Sequence, residues 1–313
     1  MKAIVLKGFG GVEVLHPAEI AVPEIGADEV LVQTRSISIN PVDIKTRSGK
    51  ALSQRLKDFD PIILGWDIAG IVSAVGSNVT EFSKGDEVFG MVNFPGHGKA
   101  YAEYVAAPAS HLALKPKNIG FQQAAVSTLA ALTAWEGLVD HLKIKKGDRL
   151  LVHAAAGGVG HFVVQLAKHL GAYVIGTASA KNKSFVLGLG ADEFVDYTLG
   201  PLEQSIGSID KVFDNMGGEN IDASFKVMKP GASILSIPSG KNDGVEEKAA
   251  AAGFSGYKML VSSNGQNQAK IGSLLEAGYI RPHISNRYSL EQMAEAHLQI
   301  ETGRTVGKLA IDI

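Results

Sequence analysis

Hydrophobic and polar positions change their rhythm twice along the chain. In the first third, apolar runs are short. Residues 29–36 set Val30, Val32 and Thr34 on one side and Leu31 and Gln33 on the other, the period-2 pattern of a half-buried strand. Residues 3–6, 67–75, 87–91 and 101–107 are further apolar runs, closed by turn residues such as Gly76-Ser77-Asn78, Lys84-Gly85-Asp86 and Pro108. Short strands cut by Gly, Pro and Asp turns predict a compact β-barrel-like unit.

The pattern changes near residues 114–119, after which 121–138 predict a helix. From Asp148 on, strands and helices alternate. Strands are expected over 149–154, 172–177, 193–196, 209–214, 232–238 and 257–261, and helices over 159–170, 181–187 and 218–228. That rhythm predicts βαβ units and a parallel sheet with helices on both faces. An amphipathic helix is expected at 269–277, and the tail 284–313 returns to short strands with a helix over 290–301. The alanine cluster at 248–252 reads as a helix or loop flank. The fold class is therefore α/β.

Composition narrows the chemistry. The 313 residues include no cysteine, which excludes disulfides, Fe–S clusters, thiolate zinc sites and a catalytic thiol. His97, His111, His141 and His169 show no metal-ligand spacing, so no metal site is expected. Hydrophobic residues make up 45%, too many for a disordered chain, and the net charge of -2 with no basic run argues against nucleic-acid binding. The opening Met1-Lys2-Ala3-Ile4-Val5-Leu6-Lys7 has too short an apolar run for a signal peptide, and no stretch is long enough to span a bilayer. A cytoplasmic location is the expectation.

The strongest local signal is Leu150-Leu151-Val152-His153-Ala154-Ala155-Ala156-Gly157-Gly158-Val159-Gly160, a strand, a glycine turn and a helix start. Such a turn lets backbone approach a pyrophosphate and aims helix N–H groups at it. Gly157 and Gly160 take the second and third glycine places of the dinucleotide fingerprint, while Ala155 takes the first. His153 and His161 flank the turn, and either could touch phosphate. Residues 172–183 hold no acid to bind a ribose 2′-hydroxyl but offer Ser179, Lys181 and Lys183. Lysines attract a 2′-phosphate, so NADPH is expected over NADH, although two solvated lysines opening a helix read the same way. Asn215 and Pro238 follow strands, where open α/β sheets bind ligands. Trp66 and Phe94 suit an apolar substrate pocket or the core.

At this point the residues resemble a family. Ile39-Asn40-Pro41-Val42-Asp43-Ile44-Lys45, Leu64-Gly65-Trp66-Asp67-Ile68-Ala69-Gly70, Tyr101-Ala102-Glu103-Tyr104-Val105, the glycine turn and the closing Gly303-Arg304-Thr305-Val306-Gly307-Lys308 are similar to the medium-chain dehydrogenase/reductase superfamily. The resemblance is to its zinc-free quinone oxidoreductase branch and, within that, to 2-alkenal and enone reductases. It implies a discontinuous GroES-like catalytic domain over 1–118 and 266–313, a Rossmann dinucleotide-binding domain with a doubly wound parallel sheet over 119–265, an active site in the cleft between them, and a homodimer. Zinc-dependent relatives carry Cys where Asn40 stands, His where Trp66 stands and a second Cys near Leu129.

The implied activity is metal-free hydride transfer from NADPH to a quinone or to the C=C bond of an α,β-unsaturated carbonyl. By the same resemblance, Asn40 and Asp43 face the nicotinamide, and Lys45 binds its ribose or donates to the substrate oxygen. Thr133 contacts the nicotinamide ribose, Tyr197 the adenosine ribose phosphate with Lys183, and Ser262 and Asn264 the nicotinamide. Gly158 and Val159 complete the phosphate turn. Competing accounts are a helix cap for Asp43 and a buried strand-end aromatic for Tyr197. An enoyl-thioester reductase, or a non-catalytic crystallin-like or nucleic-acid-binding relative, is the alternative function.

Overall fold

The computed structural model describes all 313 residues, which divide into two compact units. The first takes residues 1–132, 261–278 and 282–313; the second takes 133–260 and 279–281.

In the first unit, β1 (Lys2–Leu6), β2 (Leu15–Glu19), β3 (Glu29–Ser38), β4 (Ile62–Ile63), β5 (Asp67–Val75), β6 (Glu87–Met91), β7 (Tyr104–Pro108) and β8 (Leu112–Leu114) come before the other unit in sequence. β15 (Ile284–Ser289) and β16 (Lys308–Asp312) follow it. A three-stranded sheet runs β2-β1-β4 and a seven-stranded one β15-β16-β3-β5-β6-β8, with β7 also on β3. The C-terminal strand is part of the wall: Ile311 faces Ile37 across an antiparallel pair. Ser36 Oγ and Ser38 Oγ donate to the carbonyls of Ile311 and Leu309. Pro17 interrupts the alternation in β2, which hides that strand from a pattern reading; the outer place it takes in its sheet is where proline is tolerated.

The second unit holds β9 (Arg149–Val152), β10 (Tyr173–Ala178), β11 (Glu193–Asp196), β12 (Ile209–Asp214), β13 (Met228–Ser236) and β14 (Ser255–Lys258). All pair parallel in the order β11-β10-β9-β12-β13-β14. Counted within the unit this is 3-2-1-4-5-6, the doubly wound dinucleotide-binding order, with its switch point between β9 and β12. Ile175, Leu151, Val212 and Ile234 lie in register across four strands and are fully buried.

The helices are α1 (Pro41–Arg47), α2 (Ser53–Leu56), α3 (Phe121–Ala125), α4 (Leu129–Glu136), α5 (Gly160–His169), α6 (Lys183–Gly188), α7 (Glu219–Phe225), α8 (Val245–Ala251), α9 (Gly265–Glu276) and α10 (Met293–Glu301). The helix expected over 121–138 is broken into α3, α4 and a following π-helical turn. Ser127 and Thr128 turn their hydroxyls back onto the carbonyls of Gln123 and Ala125, and the Leu129 N–H leaves the helical ladder to donate to Asp67 Oδ1 at 3.0 Å. α3 packs on β3, β5 and β16, so residues 119–132 belong with the barrel rather than with the parallel sheet.

Because burial in the parallel sheet leaves no room to relax, Ile234→Ala is expected to destabilise by about 2–5 kcal/mol in denaturant unfolding. Leu199→Ala, at a side chain 85% exposed, is expected to stay within about 0.5 kcal/mol of the parent.

Candidate active site

Asn40 lies two residues beyond β3 and caps α1. Its backbone N–H donates to Asp43 Oδ2 at 2.8 Å, closing a capping box with Pro41 at the first helical position. The Asn40 amide is held at both ends. Nδ2 donates to Asp67 Oδ2 at 2.7 Å, and Oδ1 accepts from the Lys308 ammonium, which also donates to the Ile39 carbonyl at 2.9 Å. Lys308 Nζ lies 3.9 Å from Asp67 Oδ2. Asn40, Asp43, Asp67 and Lys308 are all buried, Asp43 completely. Lys45, one turn further along α1, keeps part of its surface.

Burial dominates the electrostatics here. It pushes the Asp43 carboxyl up to about 7, helped by Asp67; the Asn40 N–H, the Tyr101 hydroxyl and Lys308 pull the other way. Burial likewise raises Asp67 and lowers Lys308, each toward its neutral form, while their attraction for one another opposes both shifts. Lys308 and Asp67 were not singled out by the residue pattern. The only sequence signal is a lysine opening an apolar strand and an aspartate opening another.

Trp66 is fully buried, donating from Nε1 to the Gly96 carbonyl at 2.8 Å, with the Phe94 ring edge-on at 5.3 Å. Both side chains behave as core, the second of the two readings open to them. The Phe94 backbone is tied to Ser263 by two hydrogen bonds, one to the Ser263 hydroxyl at 2.8 Å. Ser262 is exposed, and Asn264 caps α9 by accepting from the Asn267 N–H. Both fall in the first unit, away from the parallel sheet to which the expected boundary assigned them.

In the second unit, the expected nucleotide residues collect at the C-terminal ends of the strands. The glycine turn follows β9, Ser179 follows β10, Tyr197 follows β11, Asn215 follows β12 and Pro238 follows β13. Thr133 is buried in α4. The turn is close-packed. A methyl at Gly160 would stand 2.2 Å from the Ala154 carbonyl oxygen, so the helix start fits only without a side chain. Ala154 itself takes φ 49°, a costly conformation for alanine. Ala155 fits in the first glycine place because β10 carries Gly176 beside it: a methyl at Gly176 would meet Ala155 Cβ at 2.9 Å and Val186 at 2.5 Å. That pairing was missed, and a glycine inside an apolar strand was its signal.

His153 and His161 do not face outward from the turn. His153 is buried between Ser224 Oγ at 2.8 Å and Thr177 Oγ1 at 3.3 Å, and His161 turns back to the Gly157 carbonyl at 2.9 Å. The N–H groups of His161, Phe162 and Val163 donate to the carbonyls of Gly157 and Val159, so what this helix start offers a ligand is the backbone of residues 158–160. Asn215 Nδ2 donates to the His153 carbonyl at 2.7 Å, and its buried Oδ1 has no partner. Lys181, Lys183 and Tyr197 are exposed, Tyr197 at 63%, which removes the buried-aromatic account of it. Asp196 lies beside them, its carboxylate held below the usual range by the Thr198 N–H and hydroxyl. The open cradle, the orphaned amide oxygen and the exposed lysines suit a phosphorylated dinucleotide.

Comparison with known proteins agrees with this geometry. The alcohol dehydrogenase GroES-like domain family matches residues 26–117, and the zinc-binding dehydrogenase family matches 189–311. An NADPH-dependent alkenal/one oxidoreductase from Arabidopsis thaliana is 37% identical, over 99% of this chain and 79% of that protein. The chain belongs to the medium-chain dehydrogenase/reductase superfamily, in its branch of quinone and alkenal oxidoreductases. The quinone oxidoreductase of Coxiella burnetii superposes with a TM-score of 0.96 at 35% identity, over 100% of this chain and 99% of its own. That of Escherichia coli, solved with NADPH, gives 0.88 at 28% identity over the whole of both chains.

The zinc that one matched family name implies has no fitting donor set in this member of the superfamily. No three His, Asp or Glu side chains are grouped to hold a metal ion. At the positions where the resemblance places the ligands of zinc-dependent relatives, the Asn40 amide is already engaged, Trp66 donates to Gly96, and the neighbourhood of Leu129 has no cysteine. The nearby Lys308 ammonium would also repel a dication.

Lys308→Met leaves Asp67 and the Asn40 oxygen without their cation and is expected to cost about 3–5 kcal/mol in denaturant unfolding. A second expectation concerns pH. His97 is held down to about 4, by burial first and by Lys99 second. A base depressed in the folded state contributes stability that is present above its unfolded value near 6.5 and lost as pH falls through about 4. Asp43, a raised acid, has the opposite sign: its contribution is complete at low pH and lost as pH rises through about 7. Melting temperatures between pH 4 and 7 should therefore fall less steeply toward acid in His97→Gln than in the parent.

Proposed function

We propose that the protein is an NADPH-dependent oxidoreductase that reduces quinones or the C=C bond of α,β-unsaturated carbonyls without zinc. The observation that carries this reading is the glycine turn at the switch point of a 3-2-1-4-5-6 parallel sheet. It is supported by relatives named as NADPH-dependent alkenal/one oxidoreductase and 2-methylene-furan-3-one reductase, and by the NADPH-bound Escherichia coli enzyme.

When bound, NADPH supplies the hydride. The chain supplies place and charge. The turn over 155–160 and the α5 N-terminus hold the pyrophosphate; Ser179, Lys181, Lys183 and Tyr197 hold the 2′-phosphate end; Asn215, Pro238, Thr133, Ser262 and Asn264 bound the remainder. On the catalytic face, Lys45 meets negative charge developing on the acceptor oxygen, since it alone of the three expected residues keeps accessible surface. Asn40 and Asp43 shape that face from beneath: Asp43 fixes the Asn40 backbone, and the Asn40 amide retains one N–H beyond the one given to Asp67. The dinucleotide-binding unit in this reading is the parallel-sheet unit, residues 133–260 with 279–281, and the protein acts as a cytoplasmic homodimer.

The test is NADPH oxidation against a panel of enones, quinones, simple ketones, alcohols and crotonyl-CoA. Turnover of enones or quinones is expected, and turnover confined to simple ketones would sink the proposal. Lys183→Ala removes one charge-assisted contact and is expected to raise KM for NADPH about tenfold while leaving KM for NADH unchanged.

A further inference from the structure

Behind the Asn40 cap lies a second set of buried polar groups that no step above uses. Arg47, at the end of α1, is 3% exposed. Its Nε donates to the Gly10 carbonyl at 3.2 Å, its Nη2 to Glu301, and its Nη1 lies 3.2 Å from His297 Nδ1. His297 Nε2 lies 3.0 Å from the Tyr101 hydroxyl. His297 and Tyr101 have no exposed surface. Asp43 Oδ1 is buried and is engaged by no well-aligned hydrogen bond, and the Tyr101 hydroxyl is the side chain beside the Asp43 carboxyl that can donate to it.

We propose that Arg47, His297 and Tyr101 form a one-way chain of donors that ends on Asp43 Oδ1 and thereby positions the Asn40 cap. The direction follows from what each group can do. A guanidinium has donors only, so His297 Nδ1 must accept. The neutral ring then carries its proton on Nε2 and gives it to the Tyr101 oxygen. With its oxygen already accepting, the tyrosine is left with a proton to place, and it is sealed from water. The orphaned acceptor next to it is Asp43 Oδ1. The reverse arrangement would set a ring N–H against an Arg47 N–H and leave the Asp43 oxygen unanswered. Burial and the Arg47 charge together hold His297 down to about 3, which keeps the ring neutral. The charged and titratable groups around Asp43 are Asp67 from β5, Lys308 from β16 and Tyr101 ahead of β7, with Arg47 and His297 behind Tyr101. Lys308 and the Tyr101 proton thus answer the carboxylate from two sides, and the Asn40 N–H answers Oδ2.

The inference rests on the reading that residues 40–45 form the catalytic face, and its test separates the two. Histidine 15N NMR on the unaltered protein, with the His297 signals assigned by their loss in His297→Gln, reports the tautomer directly. A neutral ring with its proton on Nε2 from pH 5.5 to 8 is expected; a proton on Nδ1, or a charged ring, overturns the chain whatever the activity. Tyr101→Phe removes the last donor. With an enone or quinone acceptor, kcat should fall about tenfold or more, KM for NADPH should stay within about twofold, and the acidic limb of kcat/KM should move to higher pH. His297→Ala should reproduce the loss, and His297→Gln, which restores a donor toward Tyr101, should recover most of it. Variants that melt earlier but keep the parental kcat and pH profile would overturn the positioning role. A wild type inactive toward every acceptor would refute the proposed function, with the NMR result still deciding the hydrogen-bond chain.

Discussion

Taking an ammonium group out of water costs several kcal/mol unless oxygens surround it, and the barrel is arranged to surround one. Lys308 opens the last strand and is 3% exposed. Its oxygens come from distant parts of the chain: the Ile39 carbonyl and Asn40 amide at the end of β3, and the Asp67 carboxylate at the start of β5. Satisfying this one cation fixes where α1 begins, because Asn40 is also its cap. It fixes where α4 begins, because the carboxylate that faces Lys308 takes the Leu129 N–H out of the helix ladder. It is also a physical reason for the final strand to join a unit whose other strands, β15 apart, precede residue 115.

Seen against zinc-dependent relatives, this is a change of centre. The positions that hold metal there are Asn40, Trp66 and the neighbourhood of Leu129. Here Asn40 Nδ2 and the Leu129 N–H both donate to Asp67, the residue after Trp66. In this chain a carboxylate that collects donors therefore ties together the end of the β3 segment, the start of β5 and the start of α4.

Much of this architecture was legible from periodicity. The alternation over 29–36 and the strand–helix rhythm from Asp148 are direct consequences of one-sided burial in the barrel and two-sided burial in the parallel sheet. The glycine turn after β9 was legible too, because close packing of the helix start on the strand end demands glycine at residue 160. What stayed hidden depends on groups far apart in sequence. Beyond the break after Ala125, the Leu129 N–H is held by a carboxylate 62 residues before it. Ala155 looked like a defect in the fingerprint until Gly176, in the neighbouring strand, was found to make room for it. The hydrogen-bonding roles of Lys308, Tyr101 and His297 show in no local pattern, since a buried polar group is recognised only by its partners. Trp66 and Phe94, open to two readings in sequence, are both buried.

The electrostatics of the catalytic face bear on which acceptors suit it. A metal ion polarises a carbonyl oxygen strongly because it brings two charges to one point. The first unit has no donor set for such an ion. Its most deeply buried cation near α1, Lys308, is spent on Asn40, Ile39 and Asp67, and Arg47 is spent on His297, Gly10 and Glu301. Lys45, on the same helix, is partly exposed, and its charge is therefore screened by water. A weakly polarising face favours acceptors that carry their own electron sink. In an enone or quinone the arriving charge spreads over a conjugated oxygen, so little external stabilisation is required; in a simple ketone it falls on one carbonyl oxygen, where a screened ammonium is a poor substitute for a dication.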